Sequence, residues 1–336
     1  MSVPKCSHLV ISNFPGHRPS VVTGGPGTVR DDGRPYGYRR QVDRKQAMME
    51  GTLRPGSIVV GVDTSQASMI ALDWATTLAQ QTRAPMHLIH GFSPDRPDWA
   101  FGMGADDDHF HRAGERVLNR ARNRIQLRDR MIQVSTGLTG SYPAAAMVRA
   151  SALASMVVVG SHGDSLLHIS SIGETAHQIA GHAACPVAVV RTDLNLENEY
   201  RRILVGVDRS ELSGKALGWA FSQAERINAE VLAIHAWQPR DAQDPGLGSA
   251  EWPSYADACR EMIESKIADQ RAQHPGVKVM TEVFQGNPTR ALVTESHASD
   301  LVVLGARGDG GFDGLHLGRV ARDALSHSTC PVVVMH

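Results

Sequence analysis

Two stretches of the chain combine glycine and charge in a pattern suited to phosphate. The first reads Gly160-Ser161-His162-Gly163, nine residues, then Gly173-Glu174; the second reads Gly305-Ala306-Arg307-Gly308, nine residues, then Gly318-Arg319. Glycine lets backbone N–H groups approach an anion, and a helix starting after the last glycine adds partial positive charge. Glycines also make tight turns, so one copy would decide little. Two copies, each with an apolar run before it and a helical pattern after it, favour a ligand loop, retained or inherited. Asp63 and Asp208 each close an apolar run that begins at Ile58 or Ile203. A carboxylate there could join a phosphate in holding a metal, but each stands alone in sequence. No Gly-x-Ser-x-Gly elbow, P-loop or Cys-x-x-Cys pair is present, and no motif marks a catalytic base or nucleophile, so no enzymatic activity is expected. His109-Phe110-His111 is a close pair with no cysteine at zinc spacing and reads as surface. His90 and His235 read as packing residues, and Cys185 and Cys330, each before a proline, as buried thiols.

The elements that must position these residues come from a duplication. Shifted by 145 residues, the chain lies on itself without a gap, and segments 57–92 and 202–237 share 15 identities in 36 positions. Chance would give about two or three at average residue usage. Asp63 falls on Asp208, Trp74 on Trp219, His90 on His235, the loop glycines on one another, and Cys185-Pro186 on Cys330-Pro331. A unit this long is a duplicated domain rather than a solenoid repeat. The expected domains are 55–192 and 200–336, joined by the polar linker Asp193 to Glu199. Within each, a buried strand (58–63, 203–208) leads to an amphipathic helix, whose apolar face in the first unit includes Ala67, Ala71, Trp74 and Leu78. A second strand (86–92, 231–237), a charged helix (107–129, 250–273) and a third strand (131–136, 277–284) follow. Asn287-Pro288 reads as a helix start, with Tyr142-Pro143 its counterpart. A fourth strand (156–160, 301–304), the glycine loop, a helix and a last strand (186–190, 331–335) complete the unit. This alternation predicts an α/β fold: two tandem doubly wound domains, each with a five-stranded parallel sheet, Rossmann-like. Ligands of such sheets bind beyond the carboxyl ends of the strands, where Asp63, Asp208 and both glycine loops lie.

Composition bounds the rest. The 336 residues are 42% hydrophobic and 21% charged, with a formal net charge of −1, which is ordinary for a folded two-domain protein and not that of a general nucleic-acid binder. No apolar run approaches the ~18–20 residues of a membrane span, and no signal-peptide core is evident, so a cytoplasmic location is expected. Residues 1–54 are rich in Gly and Pro and carry nine Lys or Arg against four Asp or Glu. They read as a basic, disordered tail.

Strand-Gly-Val-Asp-x-Ser, the Gly-x2-Gly-x9-Gly loop and a terminal Cys-Pro-Val strand, in this order and twice over, resemble the universal stress protein family in its tandem-domain form. The resemblance covers about 55–336. It implies a stress-response regulator and, for one subgroup, binding of ATP with or without Mg. In that subgroup the Asp ending strand one contacts adenine, the backbone after strand two lines the base, and the glycine loop holds ribose and phosphates. That places Asp208, Ala236, Gly305, Gly308 and Gly318 in one site, and Asp63, Gly91, Gly160, Gly163 and Gly173 in the other. The pattern departs where a Ser or Thr should follow the last glycine: Glu174 and Arg319 stand there instead. Two like charges ~4 Å apart at an effective dielectric near 20 repel by about 4 kcal/mol, so Glu174 opposes a phosphate, with Thr175 as a substitute hydroxyl. Arg319 and Arg307 have the opposite sign and could pair with phosphate, beside Val320 at the helix start. Unequal sites are therefore expected, the second being the better binder. ATP is favoured over cyclic AMP or another adenine nucleotide. A nucleotide-free module acting through partners, and less so a slow ATPase, stay open. A homodimer is expected, as is pairing of the two last strands within one chain, since exposed sheet edges invite pairing.

Overall fold

The computed structural model describes residues 53–91, 107–140, 142–163, 172–192, 201–237, 252–311 and 314–336. These belong to one unit, Lys45–His336. The tail up to residue 52, the loops after the second strands, the linker 193–199 and most of Asp164–Ile172 lie outside the described residues.

The first half runs β1 (Ile58–Gly61), α1 (Gln66–Thr82), β2 (Met86–Gly91), α2 (Asp107–Arg128), β3 (Val134–Thr139), α3 (Pro143–Ala150), β4 (Met156–Gly160), α4 (Glu174–His182) and β5 (Val187–Val190). The second repeats it: β6 (Arg202–Gly206), α5 (Glu211–Ile227), β7 (Glu230–Trp237), α6 (Trp252–Gln273), β8 (Val279–Gln285), α7 (Pro288–Ser296), β9 (Leu301–Gly305), α8 (Arg319–His327) and β10 (Val332–Met335). The strands form one ten-stranded sheet in the order β3-β2-β1-β4-β5-β10-β9-β6-β7-β8. Every neighbouring pair is parallel except β5 and β10, which run antiparallel with Val189 opposite Val332 and Val187 opposite Val334. The expected five parallel strands per half are present, and the two last strands do pair within the chain.

Alternation of side chains along the buried strands feeds two cores, one on each face. Ile58 and Val60 pack with α1 and α2, while Val59 packs with α3 and α4; Ile203 and Leu204 divide in the same way in the second half. Local chemistry sets most helix ends. The Ser65 and Ser210 hydroxyls accept from the N–H groups of Ser68 and Ser213 at 3.1 and 3.2 Å, and Arg83 and Asn228 end α1 and α5 in the left-handed conformation. Asn287 caps α7 with Pro288 at its first position, whereas α3 begins at Pro143 with no side-chain cap from Tyr142. β3 starts three residues later than its apolar pattern suggests. The Asp129 carboxylate accepts the Met131 N–H at 2.8 Å, which prolongs the turn and leaves Met131 exposed.

Candidate functional site

In each half the strand order reverses between the first and fourth strands, which run parallel, and the carboxyl ends of that pair open a crevice. In the second half, β6 stops at Gly206. The Val207 N–H still bonds to the Ile234 carbonyl at 2.8 Å, and the chain then leaves the sheet, presenting Asp208. His235 secures this exit. Its Nδ1 lies 2.8 Å from the Val207 carbonyl, and because a carbonyl only accepts, Nδ1 carries the proton. His90 does the same for Val62 at 2.7 Å in the first half. Both histidines therefore hold the strand end that presents the aspartate, which is more specific than packing.

Asp208 is held by its own chain. One carboxylate oxygen accepts the N–H of Ser210 at 2.9 Å and its hydroxyl; the other accepts the Asp309 N–H at 2.9 Å. The aspartate thereby ties the start of α5 to the glycine loop. Asp63 repeats the arrangement with Ser65, accepting its N–H at 2.9 Å and its hydroxyl at 2.6 Å. Lys266 of α6 adds a bond to the Ser210 carbonyl at 2.9 Å, a link between residues far apart in sequence that spacing could not suggest.

The glycines have distinct roles. A Cβ on Gly305 would lie 2.7 Å from Leu212 Cβ, and one on Gly160 would lie 2.7 Å from the Ala67 carbonyl carbon. The first glycine of each loop thus lets the first helix pack on the fourth strand. The second faces the aspartate: a Cβ on Gly308 would lie 2.6 Å from Asp208 Oδ2, and one on Gly163 3.1 Å from Asp63 Oδ2. The third caps the following helix with extended backbone and no side-chain partner. Its own N–H is spent inside the loop, from Gly318 to the Ala306 carbonyl and from Gly173 to the Ser161 carbonyl, both at 2.7 Å. The N–H groups left without an intrahelical partner are those of the helical residues after it, starting at Arg319 and Val320, which line the second crevice, or at Glu174 and Thr175.

These elements enclose a cavity of about 820 Å³ in the second half. Its wall includes all eight residues assigned there from sequence: Asp208, Ala236, Gly305, Arg307, Gly308, Gly318, Arg319 and Val320. Trp237 and Tyr255, with ring centroids 4.3 Å apart, add an aromatic flank that motif spacing did not mark. Arg307 and Arg319 are exposed, and the nearby Arg307 charge adds to burial in holding the His336 imidazole down to about 4. In the first half, Asp63, Gly160, Gly163 and Gly173 occupy the matching positions, with Gly91 packed so closely on β3 and Pro143 that a Cβ would meet Thr139 at 2.9 Å. Glu174 and Thr175 are exposed at the start of α4, and the Glu174 carboxylate accepts from the Gln178 amide at 3.0 Å. Residues 164–171 of that loop lie outside the described residues. Among the described residues no group of three or more metal-ligating side chains occurs, and no helix is long and apolar enough to cross a membrane. His111 lies 3.2 Å from Glu115 one helical turn on. Burial pushes the Cys185 and Cys330 thiols up to about 12, as befits core thiols.

Two halves of this strand order within one sheet, each with Asp after the first strand and a Gly-x2-Gly-x9-Gly loop after the fourth, define a tandem α/β protein. The profile of the universal stress protein family matches residues 56–191 and again 199–336, and the chain belongs to that family. It is 30% identical over 293 residues to the universal stress protein Rv2005c of Mycobacterium tuberculosis, covering 82% of this chain and 96% of that one. It is also 30% identical over 290 residues to a universal stress protein of Mycolicibacterium smegmatis, covering 83% and 96%. Among solved structures, a universal stress protein from Archaeoglobus fulgidus shares the fold, with a TM-score of 0.61 and 19% identity over 84% of this chain and 97% of that one.

Proposed function

We propose that the chain binds an adenine nucleotide, ATP in preference to cyclic AMP, in the cavity of its second half and serves as a ligand-controlled regulator of a stress response. The observation that carries this reading is the cavity itself. Its ~820 Å³ lies within the range of small-ligand sites, and one wall carries two arginines beside the free N–H groups of a helix start. Asp208 and the backbone at Ala236 would face the base, with Trp237 alongside. Gly305, Gly308 and Gly318 would shape the loop around the ribose and phosphates, and Arg307, Arg319 and Val320 would meet the phosphates. Among the described residues the carboxylates on the wall are Asp208 and Asp309, and we place any Mg on the phosphate oxygens. The first site, with Asp63, Gly91, Gly160, Gly163, Gly173 and Thr175, is weakened by the Glu174 charge at the same helix start.

Regulation follows from where the loop rests. His316 of the second loop packs on His182 of α4 in the other half, with ring centroids 4.3 Å apart. A nucleotide that orders this loop would shift any equilibrium in which that contact differs between two states. Equilibrium dialysis of nucleotide-stripped protein against ATP and cyclic AMP tests the reading. Retention of ATP near one per chain supports it, and retention of neither leaves the alternative of a nucleotide-free module. That alternative draws on one observation: the Asp208 carboxylate is already satisfied by Ser210 and Asp309. We assign a cytoplasmic location. A homodimer would use a surface other than β5 and β10, whose edges are consumed by each other.

A further inference from the structure

Helix α2 carries charge that its duplicate lacks. Between residues 111 and 131 stand seven arginines against two carboxylates; over the equivalent 256–276 there are three basic and four acidic residues. Arg112, Arg116 and Arg120 correspond to Asp257, Glu261 and Ser265. Both helices have matching bounds and pack on the same side of the sheet, so the fold does not require a basic helix here. The three arginines recur every four residues along one line of the helix, and all are exposed. Asp73 engages Arg124 and Arg128, at 2.6 and 3.3 Å, but none of these three has an ion-pair partner among the described residues. The line continues to Leu127, which is 86% exposed, and just past the helix Met131 is 87% exposed. No other large apolar side chain among the described residues protrudes so far.

We propose that this face docks on an anionic lipid surface. The guanidinium groups would meet headgroup phosphates while Leu127 and Met131 enter the acyl boundary. Charge selects a polyanion, and the two protruding apolar side chains select lipid over a nucleic-acid backbone, which offers nothing to cover them. The segment 1–54, with nine Lys or Arg against four Asp or Glu, has the same sign and is not the occupant. A second copy offering its near-neutral α6 is a poor electrostatic match.

The test is co-sedimentation of the full chain with phosphatidylcholine vesicles, with and without about 30% phosphatidylglycerol, at low and high salt. One variant, Arg112→Asp/Arg116→Glu/Arg120→Ser, writes the duplicate's residues into the exposed line; a second is Leu127→Ser/Met131→Ser. Far-UV circular dichroism and urea midpoints confirm that both fold. Wild type should bind only the anionic vesicles and release at high salt. The triple variant should bind at least tenfold more weakly, and the apolar pair should bind severalfold more weakly with its arginines intact. Failure of wild type to bind anionic vesicles, or binding indifferent to the triple variant, would overturn the proposal. So would vesicle binding unaffected by the apolar pair together with arginine-dependent binding of duplex DNA, which would assign the face to nucleic acid.

Discussion

Replacing His87 by leucine should flatten the acid sensitivity of the fold. His87 sits on β2, 1% exposed, with Nδ1 2.8 Å from the Ser135 hydroxyl. Burial disfavours the charged ring and pulls its pKa from the ordinary 6.5 to about 4. Between those values the unfolded chain holds a proton that the folded chain lacks. This part of the stability is full above about pH 6.5 and is lost as pH falls toward about 4. The whole gap corresponds to about 3 kcal/mol, of which about 2 kcal/mol is gone by about pH 5. The duplicate supplies the control: Leu232 occupies the equivalent position and is equally buried, so leucine suits this place in the sheet. Urea unfolding of wild type and His87→Leu at about pH 7.5 and pH 5 measures the difference. Loss of the bond to Ser135 will shift absolute stability, but the variant's decline between the two pH values should be smaller by about 2 kcal/mol. Equal declines would refute the reasoning, since His87 would then not be a neutral buried ring.

Gly160→Ala and Gly305→Ala should each destabilise the fold by about 1–3 kcal/mol in urea denaturation, because the new methyl meets rigid groups of Ala67 or Leu212 at 2.7 Å; unchanged midpoints would show that these glycines do not mediate helix packing. Ser65→Ala should cost about 1 kcal/mol through loss of the cap, and Ser210→Ala at least as much, because each hydroxyl also holds its aspartate. Cys185 and Cys330 should resist iodoacetamide near pH 8 in the folded chain and react only on unfolding, read by peptide mass mapping, since burial holds both thiols at about 12.

Features set by chain-local chemistry were legible in the residues. The strand-helix alternation, the Asn287 cap and the helix starts at Gly173 and Gly318 each depend on neighbours a few positions away. Pairing of the last strands followed from the exposed-edge argument, but its register did not. Val187–Val190 and Val332–Met335 are nearly featureless apolar runs that could pair in either direction. The site was legible as a set of positions and only partly as a set of roles. The loop pattern suggested phosphate contact for all three glycines, whereas the first clears a helix, the second clears an aspartate, and the third spends its N–H within the loop. Lys266 and Tyr255 reach the site from α6, and residues so distant in sequence leave no spacing to read.

The proposed nucleotide occupies the second site rather than the first. Calorimetric titration of ATP into nucleotide-stripped protein, beside Gly318→Asp and Gly173→Asp, tests it most directly, because each variant puts a carboxylate where phosphate should approach. Binding should be about one site per chain, lost in Gly318→Asp and kept in Gly173→Asp. Absence of heat in the wild type, together with no displacement of a fluorescent adenine analogue, would contradict it, as would binding lost only with Gly173→Asp.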